Sequence, residues 1–187
     1  AECSEVNRLS FPVWEKMHWR VPARGAMPPV AFTWHHGRLP DYGPGSRELI
    51  EGLIRGHGGT DADVKRLVLY AGAMLVGAKG VLVTDSHNTR IDLLPRERFA
   101  GVETDRPQTL PASRGHYNDW LQACRGGPAP WSRFEHTAVF NEFLMLGDVA
   151  TRFPGEKLAY DPQAAKILNH AEADAALGYE YRKGWAL

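Results

Sequence analysis

The stretch Trp14-Glu-Lys-Met-His-Trp-Arg-Val21, followed by Val30-Ala-Phe-Thr-Trp-His-His36, decides the fold. Side chains alternate across a strand, so Met17, Trp19 and Val21 fall on one face and Trp14, Lys16, His18 and Arg20 on the other. In the second segment Val30, Phe32 and Trp34 alternate with Ala31, Thr33 and His35. The connection Pro22-Ala-Arg-Gly-Ala-Met-Pro-Pro29 is bounded by Pro and Gly, as a turn requires. Paired, the two strands present a core face of Met17, Trp19, Val30, Phe32 and Trp34. The opposite face carries Lys16, His18, Arg20, Thr33 and His35. Arg24, in the tight connection, is placed to project from a strand end.

Outward from this pair, residues 37–71 form a loosely patterned, Gly-rich excursion. It has one helix, Ser46–Arg55, whose Leu49, Ile50, Leu53 and Ile54 stand at helical spacing. A hairpin follows: Ala73–Val76, a Gly-Ala-Lys-Gly turn at 77–80 and Val81–Thr84. A further strand, Arg90–Leu94, stops at Pro95. His116–Arg125 reads as a short helix ended by Gly126-Gly127-Pro128. Ser132-Arg-Phe-Glu135 has the spacing of a capping box, and Val139, Phe143, Leu146 and Ala150 make the apolar stripe of a longer helix. Lys157–Tyr160 and Ala165–Leu168 flank an Asp-Pro-Gln turn. Asn169-His-Ala-Glu172 caps a last helix, closed by Gly178. The order gives an α+β fold, a mainly antiparallel open sheet with helices on one face, in one domain over 1–187.

The 22 basic and 22 acidic residues leave a net charge of +0. A nucleic acid or an anionic membrane selects a basic excess, so neither is the expected partner. Low net charge favours self-association. Two cysteines, Cys3 and Cys124, make neither a zinc ribbon nor a disulfide framework. No apolar run approaches the ~20 residues of a membrane span. The opening Ala1-Glu-Cys-Ser-Glu5 is no signal peptide. Its lack of an initiator Met leads to the expectation that residues precede it in the natural product.

No Gly-x-Gly-x-x-Gly stands between a strand and a helix, and Gly56-His-Gly-Gly59 is not that fingerprint. Walker A, Gly-x-Ser-x-Gly and His-Glu-x-x-His motifs are absent from the sequence. His35 and His36 are neighbours in a strand and point to opposite faces, so they do not chelate one ion together. His18 and His35 are candidates for substrate or subunit contact. His116 opens a helix beside Tyr117, Asn118, Asp119 and Trp120, where capping or packing competes with a binding role. Glu142 reads as the solvated side of its helix.

Seven ordered segments carry a resemblance. They are Pro22–Pro29 with Phe32-Thr-Trp34, Leu75–Gly80, Leu93-Leu-Pro95, Gly115-His116 with Asp119-Trp120, Ala123–Gly127, Glu142–Gly147 with Val149–Arg152, and Glu180-Tyr-Arg-Lys-Gly-Trp185. Together the chain resembles the C-terminal domain of the glucose–fructose oxidoreductase, inositol dehydrogenase and rhizopine-catabolism family (Gfo/Idh/MocA), in its bacterial long-domain branch. That resemblance implies an upstream Rossmann domain that binds NAD or NADP, with no dinucleotide held by this chain alone. It also implies a sugar or cyclitol substrate and a homo-oligomer built on the sheet. His18, Arg20, Arg24, His35 and His116 are the candidate substrate-binding residues. The family's Glu-Lys-Pro lysine and Gly-x-His histidine have no counterpart here, so no catalytic residue is assigned. His35-His36 stand where relatives have an aromatic residue and an acid. Two other readings of the residues stay open. One is a stand-alone, non-catalytic carbohydrate-binding or assembly module. The other is a cofactor-free lyase using His18, His35 and Arg20.

Overall fold

The computed structural model describes residues 1–6, 10–38, 42–102, 107 and 109–185, with the side chains of 67–71 excepted. The chain is a mixed α and β protein whose named strands all pair antiparallel. It divides into two compact units, Ala1–Gly37 with Ser132–Leu187, and Arg38–Trp131.

In the first unit, strands β1 (Glu2–Cys3), β2 (Glu15–Val21) and β3 (Val30–His36) form one sheet in that order. The β2–β3 register sets Lys16 opposite His35, Met17 opposite Trp34, His18 opposite Thr33 and Trp19 opposite Phe32. Directly opposed residues share a face, so the two faces read from the sequence are the two faces observed. The register adds Glu15 and His36 to the apolar face.

The longest helix runs over Phe134–Thr151 and is the fourth in chain order, α4. It lies on β2 through Phe143 and Gly147, four residues apart on one ridge, and the Thr151 carbonyl, a further turn on, accepts from Cys3 Sγ of β1. Trp19 stacks on Phe143 with ring centroids 4.9 Å apart, and its Nε1 donates to the Phe143 carbonyl at 3.1 Å. Phe32 closes the cluster edge-on to both rings. Because α4 lies mainly over β2 and meets β3 at Phe32, Trp34 and Val30 stay 42% and 44% exposed, although both stand on the expected core face. Val139, expected in the apolar stripe, is also exposed.

Two expected caps differ. The α4 N-cap is Arg133, in extended conformation and without a side-chain cap, so Ser132 and Glu135 form no capping box. The Arg133 carbonyl instead accepts from the Thr137 hydroxyl and amide, which anchors the first turn one residue later than expected. The hairpin of β7 (Tyr160–Asp161) and β8 (Lys166–Ile167) forms as expected, but Asn169 serves it rather than the last helix. Asn169 accepts from the Ala159 amide and donates to the Lys157 carbonyl, both at 2.7 Å. His170 takes over as N-cap of α5 (Ala171–Ala175), its Nδ1 accepting from the Ala173 amide.

In the second unit, β4 (Ala71–Gly77), β5 (Gly80–Asp85) and β6 (Ile91–Leu94) form a sheet in sequence order. Thus the named strands fall into three antiparallel sheets, where one was expected. The excursion is more ordered than its composition suggests. It holds α1 (Ser46–Gly56) and a second helix, α2 (Asp61–Tyr70). Thr60 and Asp63 cap α2 reciprocally: the Asp63 carboxylate accepts from the Thr60 amide at 2.9 Å, and Thr60 Oγ1 accepts from the Asp63 amide at 3.3 Å. Ile54 and Val64 from these helices pack on Val81, Val83 and Leu94, the buried core of the unit. Asp92 at the rim of that face takes Arg66 of α2 bidentately, at 2.8 and 2.9 Å. Arg96 in turn clamps Asp63 at 2.8 and 2.6 Å. The short helix α3 (His116–Cys124) is also in this unit.

Candidate functional site

The sheet face turned away from α4 gathers most of the expected residues. His18 and Arg20 on β2 are exposed, as is Thr33 on β3, while Lys16 and His35 are half-buried. Strand β1 adds Glu2, opposite Lys16 in register.

His18 is held from both sides. Its Nε2 lies 3.0 Å from Glu2 Oε1 and its Nδ1 3.2 Å from Thr33 Oγ1. A carboxylate only accepts, so Nε2 carries the proton, and in the neutral ring Nδ1 accepts from the Thr33 hydroxyl. The bond from His18, ahead of the charge of Lys16, holds the Glu2 carboxyl below its usual range. Burial lowers the pKa of His35, with the positive charges of Lys16 and His18 acting in the same direction. The shift favours the neutral ring, which carries one donor and one acceptor nitrogen.

The remaining expected residues, Arg24 and His116, belong to other elements. Arg24 sits at the tip of the β2–β3 connection, where Arg24 and Met27 exchange backbone bonds of 3.1 and 3.0 Å. Gly25, at φ 57°, occupies the left-handed position that this tight turn requires. His116 belongs to the second unit and is the first residue of α3. Its ring packs against Tyr117 and makes no cap, and Asp119 fastens the helix start by accepting from Ser113 Oγ at 2.8 Å. Among the described residues, no three His, Cys, Asp or Glu side chains gather as a metal site.

The sequence did not point to the acidic residues on the other side of the sheet. Glu15 is 5% exposed, and its Oε2 has no hydrogen-bond partner among the described residues. His36 Nδ1 stands 3.6 Å from the other oxygen. Burial raises the Glu15 pKa, opposed by His36 and reinforced by Asp148 of α4. Burial also raises the Asp148 carboxyl. The usable signal was the alternation itself, which puts Glu15 on the Met17–Trp19 face. A second missed pair is Tyr160, whose hydroxyl donates to Glu142 Oε1 at 2.5 Å. That bond pushes the Tyr160 phenol up to about 12. Glu142 is exposed, as expected, yet it has a structural partner.

The glycine run Gly56–Gly59 joins α1 to α2. The helix that follows it begins with Asp61 and Asp63, which repel phosphate, and the Asp63 carboxylate already takes the Thr60 amide. Comparison of the chain with protein-family models, with curated proteins and with solved structures returns no match.

Proposed function

We propose that the chain is the substrate-recognition and assembly domain of a nicotinamide-dependent oxidoreductase acting on a sugar or cyclitol. In this reading it is a Gfo/Idh/MocA C-terminal-type domain, and the cofactor is held by a Rossmann domain outside these residues. The observation that supports the reading is the row of Lys16, His18 and Arg20 with Thr33 and His35 opposite them, on the sheet face away from α4. A polyol presents many hydroxyls that both donate and accept. It calls for a fixed array of mixed donors and acceptors, and rigid strands position such an array better than loops. Glu2 and Thr33 fix the His18 ring, and His35 stands on the same face, opposite Lys16. The misfit of Gly56–Gly59 to a pyrophosphate is in keeping with a cofactor carried elsewhere.

The lyase reading fares worse on geometry. A general base needs a nitrogen free to take a proton, and both nitrogens of His18 are engaged.

The test is a titration of the isotopically labelled chain with myo-inositol, with glucose and with NAD, followed by amide shifts. The expected result is polyol perturbation at residues 16–20 and 31–35, reduced by His18→Ala and His35→Ala, with no response to NAD alone. Polyols that leave the sheet face unperturbed, or NAD binding to this chain, would overturn the proposal. The intact mass of the natural product separates a domain of a larger enzyme from a stand-alone module.

A further inference from the structure

We propose that the cavity between α4 and the β7–β8 hairpin is a second ligand site, one that takes a small organic cation with an apolar body. The cavity measures about 560 Å³, within the range of about 300–1,000 Å³ typical of small-molecule sites. Its apolar walls come from Phe11, Met145, Leu146, Val149 and Leu177. Two carboxylates of α4, Glu142 and Asp148, reach the same space.

The polar groups are arranged to accept rather than to donate. The Tyr160 hydroxyl is spent on Glu142 Oε1, which orients that carboxylate and leaves its second oxygen out of the bond. Among the described residues of the lining, Arg152 is the one cation against two acids. Glu15 is buried, one of its oxygens has no partner among the described residues, and its charge opposes that of Asp148. Like charges in a low-dielectric wall cost free energy that an inserted cation relieves. An ammonium has three donors and no acceptor, which matches an acceptor-rich wall, and a hydrocarbon body matches the remainder. An anion would meet the field of Glu142, Asp148 and Glu15. This site differs from the sheet face in residues and in ligand chemistry.

Binding of a cation here draws a proton off Asp148. The charges that act on that carboxyl are Arg152 of α4 and Glu15 of β2, and Glu15 in turn interacts with His36 of β3 and Cys3 of β1. Burial raises the pKa of the Asp148 carboxyl, opposed by Arg152, and a bound cation favours the charged form, so affinity for a cation rises with pH, by up to about tenfold per unit for one proton displaced.

The experiment is an amide-shift titration of the full chain with phenethylamine and with its neutral analogue 2-phenylethanol, at pH 5 and pH 7. The amine should perturb residues 145–152 and 160–165 and bind about tenfold more tightly than the alcohol at pH 7. It should also weaken toward pH 5. Asp148→Asn should abolish both the preference for the amine and the pH dependence, while spectra of β2 and β3 away from the cavity stay in place. Val149→Trp, which fills the space, should remove binding of both compounds. Equal affinity for amine and alcohol, perturbation confined to other residues, or no binding by either compound would overturn the proposal. If Asp148→Asn fails to fold, the amine-to-alcohol ratio and the pH ratio of the unsubstituted chain decide it.

Discussion

Gly147→Ala should destabilise the first unit, although the substitution normally strengthens a helix. In an exposed helix interior, replacing Gly by Ala gains about 1 kcal/mol. At position 147 an added Cβ would lie 2.5 Å from Met17 Sδ and 2.5 Å from Trp19 Cζ2. Carbon atoms rest at about 3.5–4.0 Å, so helix and strand must separate by roughly 1 Å. Trp19 is fixed by Phe143, Phe32 and its bond to the Phe143 carbonyl, and it cannot swing aside cheaply. Overpacking of this kind costs about 1–3 kcal/mol. Set against the propensity gain, the net loss is about 1 kcal/mol, and the upper end is about 2 kcal/mol. Gly52→Ala in α1 is the control, since nothing lies within 4 Å of its added Cβ. Native-state hydrogen exchange reads each unit separately. Protection in β2 and α4 should fall about fivefold in Gly147→Ala, at 1.4 kcal/mol per factor of ten. Protection in α1 should rise in Gly52→Ala. Increased protection around β2 in Gly147→Ala would refute the close-packed ridge.

Three further outcomes follow from the same structure. Asp63→Asn should destabilise the second unit by about 3 kcal/mol, because it strips the bidentate partner from Arg96 and a partner from Arg66; urea unfolding measures it. The Arg96 bond holds the Asp63 carboxyl far below the usual carboxylate range. Its contribution is therefore present above that range and lost as pH falls below it, and Asp63→Asn should flatten the stability profile from pH 5 downward. Glu15→Gln should stabilise the protein by about 1 kcal/mol at pH 7, since burial raises the folded pKa of Glu15 and penalises its charged form. The sign reverses that of Asp63: the gain should shrink as pH falls and Glu15 becomes protonated, as followed by unfolding at pH 4–7. His170→Ala should cost about 1 kcal/mol by removing the acceptor for the Ala173 amide, seen as lower amide protection in α5.

Local patterning made the pairing of β2 with β3 legible, down to which side chains share a face, because period-2 alternation and a Pro/Gly-bounded turn leave one consistent register. The hairpins at 77–80 and 162–165 were legible for the same reason. The second helix of the excursion went unread, yet Thr60-Asp-Ala-Asp63 carries a reciprocal cap whose spacing was available. The cap at Ser132 was readable as a motif but does not form. Arg133 takes the N-cap, and the last-helix cap passes from Asn169 to His170 because Asn169 is drawn into the hairpin. Neighbouring polar residues compete for such roles, and tertiary partners decide among them.

The candidate sites divide along the same line. His18, Arg20, Thr33 and His35 share a face because they alternate along two paired strands, and the sequence alone determined that. Burial is a property of what lies across the gap. Only the packing of α4, mainly over β2 and on β3 at Phe32, decided that Glu15 loses water while Trp34 keeps it. The cavity beside Asp148 and Tyr160 likewise brings together segments far apart in the chain. A strand pattern fixes which way a side chain points, and only the tertiary structure fixes what it meets there.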